Sequence, residues 1–245
     1  MSRSVTATVP RGELVYAIGD IHGRSDLLAE LLSQIEQDAA ASGATTKTLV
    51  FLGDYVDRGP DSRGVIDLLA TGLPSGFKAH FLKGNHEEFL LDFLADPSSL
   101  DGWLRNGGEE TLRSYDVDVD GLEARRAPLL AWQAALQNVL PKAHRRFLES
   151  LELKRVIGDY VFVHAGLRPG VPLDDQKPDD LLWIRHLFLD CHEPFEKVVV
   201  HGHTPGRAPV VRSNRIGIDT GAVFSGCLTA LRLENETRAF LSTGS

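Results

Sequence analysis

Cysteine is nearly missing from this chain: two in 245 residues, Cys191 and Cys227. That excludes a disulfide scaffold and a cysteine-built zinc site, and a reducing, cytoplasmic setting is the simplest reading. Basic residues are outnumbered, 26 Lys+Arg against 34 Asp+Glu, which gives −8 with histidine neutral. Nucleic acid and anionic membranes are held by clustered cations, so neither is expected as a partner. No apolar run approaches a membrane span, and Met1 to Gly12 has no signal-peptide stretch. What remains is an ordinary globular composition, 42% hydrophobic and 24% charged, of a length that builds one core. One domain over 1–245 is expected. Nine histidines stand out against this background.

Short β-branched apolar runs each end in a polar cluster. Leu14–Ile18 ends at Gly19-Asp20, Thr48–Leu52 at Gly53-Asp54, and Lys78–Leu82 at Lys83-Gly84-Asn85. Tyr160–Val163 runs into His164, and Lys197–Val200 into His201. Short, continuous and glycine-bounded, they read as buried strands. Arg215–Ile218 and Leu228–Leu233 read the same way. Ser25 is placed to cap a helix with a stripe of Leu27, Leu28, Leu31, Leu32 and Ile35. Asp61 or Ser62 is placed to cap a second, carrying Val65, Ile66, Leu68 and Leu69. The alternation predicts an α/β layered core. From about 88 to 158 the chain turns helix-rich, with Pro141 suited to the first turn of a helix running to Leu151.

Open α/β sheets bind ligands at the carboxyl ends of their strands, so the polar clusters should converge. They are Gly19-Asp20-Ile21-His22-Gly23, Gly53-Asp54-Tyr55-Val56-Asp57-Arg58-Gly59, Gly84-Asn85-His86-Glu87, His164-Ala165-Gly166 and His201-Gly202-His203-Thr204. Asp, Asn and His without thiolate form an oxygen/nitrogen donor set suited to Mn, Fe or Zn.

These five blocks, in this order, resemble the phosphoprotein phosphatase family of the calcineurin-like metallophosphoesterases, in particular its short bacterial branch. The resemblance covers about Glu13 to Leu233. It implies a four-layer αββα sandwich with a helical insertion between the third and fourth blocks. It also implies two divalent metal ions, manganese first and iron or zinc as alternatives. One would be held by Asp20, His22 and Asp54, the other by Asp54, Asn85, His164 and His203, with Asp54 and a hydroxide shared. His86 would be the general acid, oriented by Asp57. Arg58 would grip phosphate oxygens, and Arg185, in Leu182-Trp183-Ile184-Arg185, resembles the second phosphate-binding arginine of bacterial members. Pro205 stands where many wider relatives carry another histidine. The tyrosine-bearing loop near the eukaryotic C-terminus has no counterpart.

Elementary chemistry agrees with those roles. Two divalent ions, two aspartates and one hydroxide sum to about +1, which suits a phosphate monoester dianion. Arginine forks match the phosphoryl oxygens. A protonated imidazole assists a basic leaving oxygen. The expected function is hydrolysis of phosphomonoesters, of a Ser/Thr-type phosphoprotein or a small phosphomonoester. Two alternatives stand beside it: a symmetric diadenosine tetraphosphatase or related nucleotide pyrophosphohydrolase, and a catalytically idle phosphate-binding module. The nucleotide group usually has alanine where this chain has Asp57, and an idle module would be expected to lose a ligand. Oligomeric state is not read from the sequence.

Other features carry blander readings. His201 either donates to a backbone carbonyl or supports His203. His80, His144, His186 and His192 match no block and read as structural or surface residues. Cys191 and Cys227 read as inert. Trp103 and Asn106-Gly107-Gly108 resemble a cleft loop of bacterial relatives, with substrate contact and ordinary packing both open. Asp116–Gly121 imitates an EF-hand start, but its twelfth position is Ala127, so it reads as an acidic turn. Asp219-Thr220-Gly221 reads as a turn beside the metal site.

Overall fold

The computed structural model describes residues 7–244, so the leader expectation for residues 1–6 lies outside the described residues. In chain order the elements are β1 (Glu13–Ile18), α1 (Ser25–Ala40), β2 (Thr46–Phe51), α2 (Ser62–Thr71), β3 (Phe77–Phe81) and α3 (Asn85–Ala95). Then come α4 (Leu100–Leu104), α5 (Gly108–Ser114), α6 (Val119–Ala124), α7 (Leu129–Val139), α8 (Lys142–Glu149), β4 (Lys154–Ile157) and β5 (Tyr160–Val163). The remainder is α9 (Pro178–Trp183), α10 (His186–Leu189), β6 (Val198–His201), β7 (Val210–Val211), β8 (Arg215–Gly217), α11 (Ala222–Ser225), β9 (Thr229–Glu234) and β10 (Thr237–Ser242).

Two five-stranded sheets form, ordered β10-β9-β1-β2-β3 and β4-β5-β6-β8-β7. Within the first, β1, β2 and β3 run parallel, and within the second β5, β6 and β8 do. Antiparallel partners flank both sets. Strand alternation then decides the layers, because successive side chains face opposite ways. Leu14, Tyr16 and Ile18 of β1 pack with Leu28, Leu31 and Ile66 of the helices. Val15 and Ala17 pack instead with Phe162, Val200 and Ile216 of the second sheet. Val161, Val163 and Val199 on the far face meet Leu181, Ile184 and Phe188. Helices, sheet, sheet, helices is the expected αββα order.

The parallel strands are what position the site. Each set sends its carboxyl ends the same way, so the loops after β1, β2, β3, β5, β6 and β8 all carry site residues. Some local expectations need correcting. Ser25 does not cap α1: Arg24 holds that position without a capping side-chain bond, and the Ser25 hydroxyl donates to Asp61. Asp61 does cap α2, accepting from the Gly64 N–H at 2.9 Å. Pro141 precedes α8 instead of opening it, and the helix stops at Glu149. The helical stretch is six α-helices between β3 and β4, and strand β4 occupies its expected end. Among the described residues, no helix is long and apolar enough to cross a membrane.

Candidate metal centre and active site

Asp54 sits at the centre of the converging loops, 2% exposed, in a left-handed backbone conformation. His22, Asp57, Arg58 and His203 share that sign of φ. Five site residues in a region that side chains seldom occupy is a concentration of backbone strain, held by the packed sheets beneath. Donor atoms of Asp54, His164 and His203 lie within 4.8 Å of one another, as do those of His22, Asp54 and His86. Asn85 joins the first group: its Oδ1 is 2.9 Å from His164 Nε2 and 2.8 Å from His203 Nδ1. Asp20 stands outside both groups, with Oδ2 accepting from the His203 N–H at 2.9 Å and Oδ1 buried without a partner.

Whether these residues fit metal ions is decided by where their protons are. His164 Nδ1–H donates to the Leu52 carbonyl at 2.9 Å, so Nε2 bears a lone pair. That lone pair faces Asn85 Oδ1 and, at 3.4 Å, Asp54 Oδ1, which are acceptors as well. His22 Nδ1–H donates to the Val56 carbonyl at 2.9 Å, leaving Nε2 3.5 Å from Asp54 Oδ2. These lone pairs face acceptor oxygens, the arrangement a cation relieves, with the Arg58 guanidinium donating to His22 Nε2 at 2.8 Å. Burial pushes His22 down to about 3 and His203 down to about 2, and lowers His164 as well. All three therefore stay neutral, as ligands must. Burial, with Asp219 and Asp54 close by, raises Asp20 well above the carboxylate range. Three buried carboxylates side by side need positive charge. The donor set fits two divalent ions.

His86 behaves differently. Burial pushes it down, but Asp54 and Asp57 outweigh that and raise it above its ordinary value. Its Nδ1–H donates to Asp57 Oδ2 at 2.8 Å, and its Nε2 is buried without a partner, 4.0 Å from Asp54 Oδ2. Proximity alone would offer His86 as a ligand; it differs from the other three in being held by a carboxylate, Asp57, through Nδ1. Asp57 is fully buried and receives, besides His86, the Trp103 indole N–H at 3.0 Å and the Thr111 hydroxyl at 2.6 Å.

Trp103 therefore belongs beneath the site. It is fully buried. The following loop supports Arg58, whose N–H donates to the Gly107 carbonyl at 3.0 Å. Arg58 itself is exposed, its guanidinium donating to His22 Nε2 at 2.8 Å. Arg185 is exposed ahead of α10, and its charge reaches His164, His203 and Asp219. Backbone space is equally tight: a Cβ on Gly202 would lie 2.0 Å from Asp20 Oδ1, so only glycine lets these loops close.

Glu87 gains a place that its sequence position did not show, and Asp219 lies in a turn close to Asp54, where the sequence reading put it. Glu87 is fully buried and accepts from the N–H groups of Asp54, Tyr55, Val56 and Gly84 at 2.9, 2.7, 3.2 and 2.9 Å. It staples the second block to the third. Asp219 follows β8, accepts from Gly221 N–H at 2.9 Å, and is pushed up to about 6 by burial and then Asp54. The signal for it is that β8 is a further parallel strand ending in an aspartate. His201 is buried, its Nδ1 3.1 Å from the Gly202 carbonyl and its Nε2 3.4 Å from Arg215, so it makes no bond to His203. The acidic turn pairs with arginines, Asp116 with Arg63 at 3.0 Å and Asp120 with Arg113 at 2.6 Å.

Fold and centre together define a metallophosphoesterase. The sequence profile described as Calcineurin-like phosphoesterase matches residues 14–226, and the chain belongs to that family, whose members use a dimetal site. Among its relatives is serine/threonine-protein phosphatase 1 of Salmonella typhimurium, 32% identical over 90% of this chain and 92% of the relative. Another is the asymmetrical bis(5'-nucleosyl)-tetraphosphatase PrpE of Anoxybacillus flavithermus, 30% identical over 92% and 93%. Both belong with the bacterial phosphoprotein phosphatases. A solved structure of a candidate diadenosine tetraphosphatase shares the fold, with TM-score 0.62 and 24% identity over 97% of this chain and 98% of that one.

Proposed function

We propose that 1–245 is one catalytic domain that hydrolyses phosphomonoesters of Ser/Thr-type phosphoproteins. The observation that carries this is the buried Asp57–His86 pair, 2.8 Å apart. A serine or threonine alkoxide is a strong base and leaves only if protonated. A nucleotide phosphate is a far better leaving group and gains little from such a donor. Positioned proton donors typically contribute on the order of 10²–10⁴-fold. In this reading Asp20, His22 and Asp54 hold one ion, and Asp54, Asn85, His164 and His203 the other. When bound, two divalent ions lower the pKa of a water and draw charge from the phosphoryl oxygens. Manganese is the ion proposed for this O/N donor set, with iron or zinc as alternatives.

The chain's own residues do the rest. Arg58 and Arg185 hold the phosphoryl oxygens from the exposed side of the centre. Asp57 accepts from His86 Nδ1–H, fixes the ring and stabilises its protonated form. The Nε2 proton then passes to the departing ester oxygen. Glu87, Trp103 and Thr111 hold these loops in place from below. The cytoplasmic setting read from sparse cysteine forms part of this reading; Cys191 and Cys227 are both free.

Relatives named as tetraphosphatases support a second reading, a nucleoside tetraphosphate hydrolase of asymmetrical instead of symmetric type. The test compares kcat/KM for a phosphoserine peptide and diadenosine tetraphosphate with manganese-loaded protein. Phosphopeptide is expected to win, and the opposite ranking selects the nucleotide reading.

A further inference from the structure

Of the three tryptophans, two are buried: Trp103 fully and Trp132 to 6% exposure. Trp183 is the exception, 37% exposed at the end of α9. It is not loose. Its indole N–H donates to Glu88 Oε2 at 2.6 Å. Its ring meets Phe89 edge-on, centroids 5.1 Å apart, and meets His203 the same way at 6.3 Å. Phe89 in turn lies 6.1 Å from His86. An aromatic ledge therefore runs from the proposed metal ligand His203 to His86, the group proposed to protonate the leaving oxygen.

The chemistry of that ledge is narrow. The only polar atom of the indole is already engaged by Glu88, so the exposed part offers hydrocarbon and π-surface alone. Exposed large aromatics held rigid from two sides are suited to stack another ring. Arg185 lies two residues beyond Trp183, so one short segment carries both a proposed phosphate grip and the ledge. A ligand that satisfies both has a phosphoryl group with a planar ring close behind it.

We propose that Trp183 is a specificity-determining residue, stacking on a planar ring borne on the leaving-group side of the substrate's phosphoryl group. The inference rests only on the coarser phosphoesterase reading of the same centre; a serine or threonine ester carries no such ring, so it concerns a further, ring-bearing class of substrate. Two sources supply such a ring, the phenol of a tyrosine ester and the base of a nucleoside polyphosphate.

The experiment uses manganese-loaded full-length protein, its Trp183→Leu and Trp183→Phe variants, and three substrates. These are one peptide sequence phosphorylated on tyrosine, the same sequence phosphorylated on serine, and diadenosine tetraphosphate. Relative to the serine ester, the Leu variant should lose about tenfold in kcat/KM on the ring-bearing substrate, the scale of one stacked aromatic pair. The Phe variant, which keeps a ring, should recover most of it. Loss on the tyrosine ester identifies the phenol; loss on the dinucleotide identifies the base; either supports the proposal. A second readout is tryptophan emission on titration with phenylphosphonate against methylphosphonate. A change specific to the phenyl compound, absent in Trp183→Phe, is expected even if the wild-type protein hydrolyses no phosphomonoester. Equal loss on all three substrates, with no phenyl-specific change in emission, overturns the proposal.

Discussion

Asp57 and His86 meet at 2.8 Å with neither side chain exposed. Such a pair is costly to bury unless its remaining atoms are satisfied. Asp57 answers that demand with Trp103 and Thr111, and its own N–H donates to Thr111 and to Ser62 at 2.9 and 3.0 Å. One imidazole nitrogen is left facing the carboxylate of Asp54. The fold thus fixes one ring and leaves one N–H direction to chemistry.

Metal removal tests the clustered acceptors. Asp20, Asp54 and Asp219 crowd one buried region, and His22 and His164 aim lone pairs into it. Prolonged chelation should abolish phosphopeptide hydrolysis and lower Tm in calorimetry, because ions that bind only the folded chain stabilise it. Added Mn²⁺ should restore both. Full activity in protein shown to be metal-free contradicts the proposed centre.

The Arg58 loop depends on Gly107. It has φ of +96°, and a Cβ there would lie 2.7 Å from Arg58 Cγ. Gly107→Ala should move the guanidinium and strain the turn, with a stability cost of about 1–3 kcal/mol. We expect KM for phosphopeptide and the inhibition constant of orthophosphate to rise together, about tenfold, as for loss of one charge-assisted contact. Unchanged phosphate inhibition in a destabilised variant would remove Arg58 from the grip.

Alkaline stability reports on Tyr16. Burial, then its bond to Asp38, raises this hydroxyl above its ordinary 10. The unfolded chain ionises near 10 while the folded chain keeps its proton, so stability is intact below pH 10 and falls as pH rises further. Urea midpoints from pH 8 to 11 should fall more steeply for wild type than for Tyr16→Phe. Parallel curves would contradict the assignment.

Much of this is legible in the sequence because parallel strands announce themselves. Continuous apolar runs ending in Gly-Asp, Gly-Asn or His mark β1, β2, β3, β5 and β6, and with them the converging loops. Edge strands β4, β7 and β10 carry no such mark: they are short or half-exposed, and their pattern comes from neighbours. Ser25 has the position of a cap without the role, because a cap is a hydrogen bond and Asp61 draws its hydroxyl away. Trp103 cannot be placed from its own neighbours, since its partner Asp57 is 46 residues distant. Glu87 looks like an ordinary first-turn glutamate until the backbone of a different loop folds onto it.

The proposed role of His86 is tested most directly by the identity of the leaving group. His86→Asn keeps a polar side chain and removes the transferable proton. With manganese-loaded protein, kcat on a phosphoserine peptide should fall on the order of 10²–10⁴-fold. On p-nitrophenyl phosphate, whose phenolate departs unaided, the fall should be far smaller. Equal losses on both substrates would contradict the account.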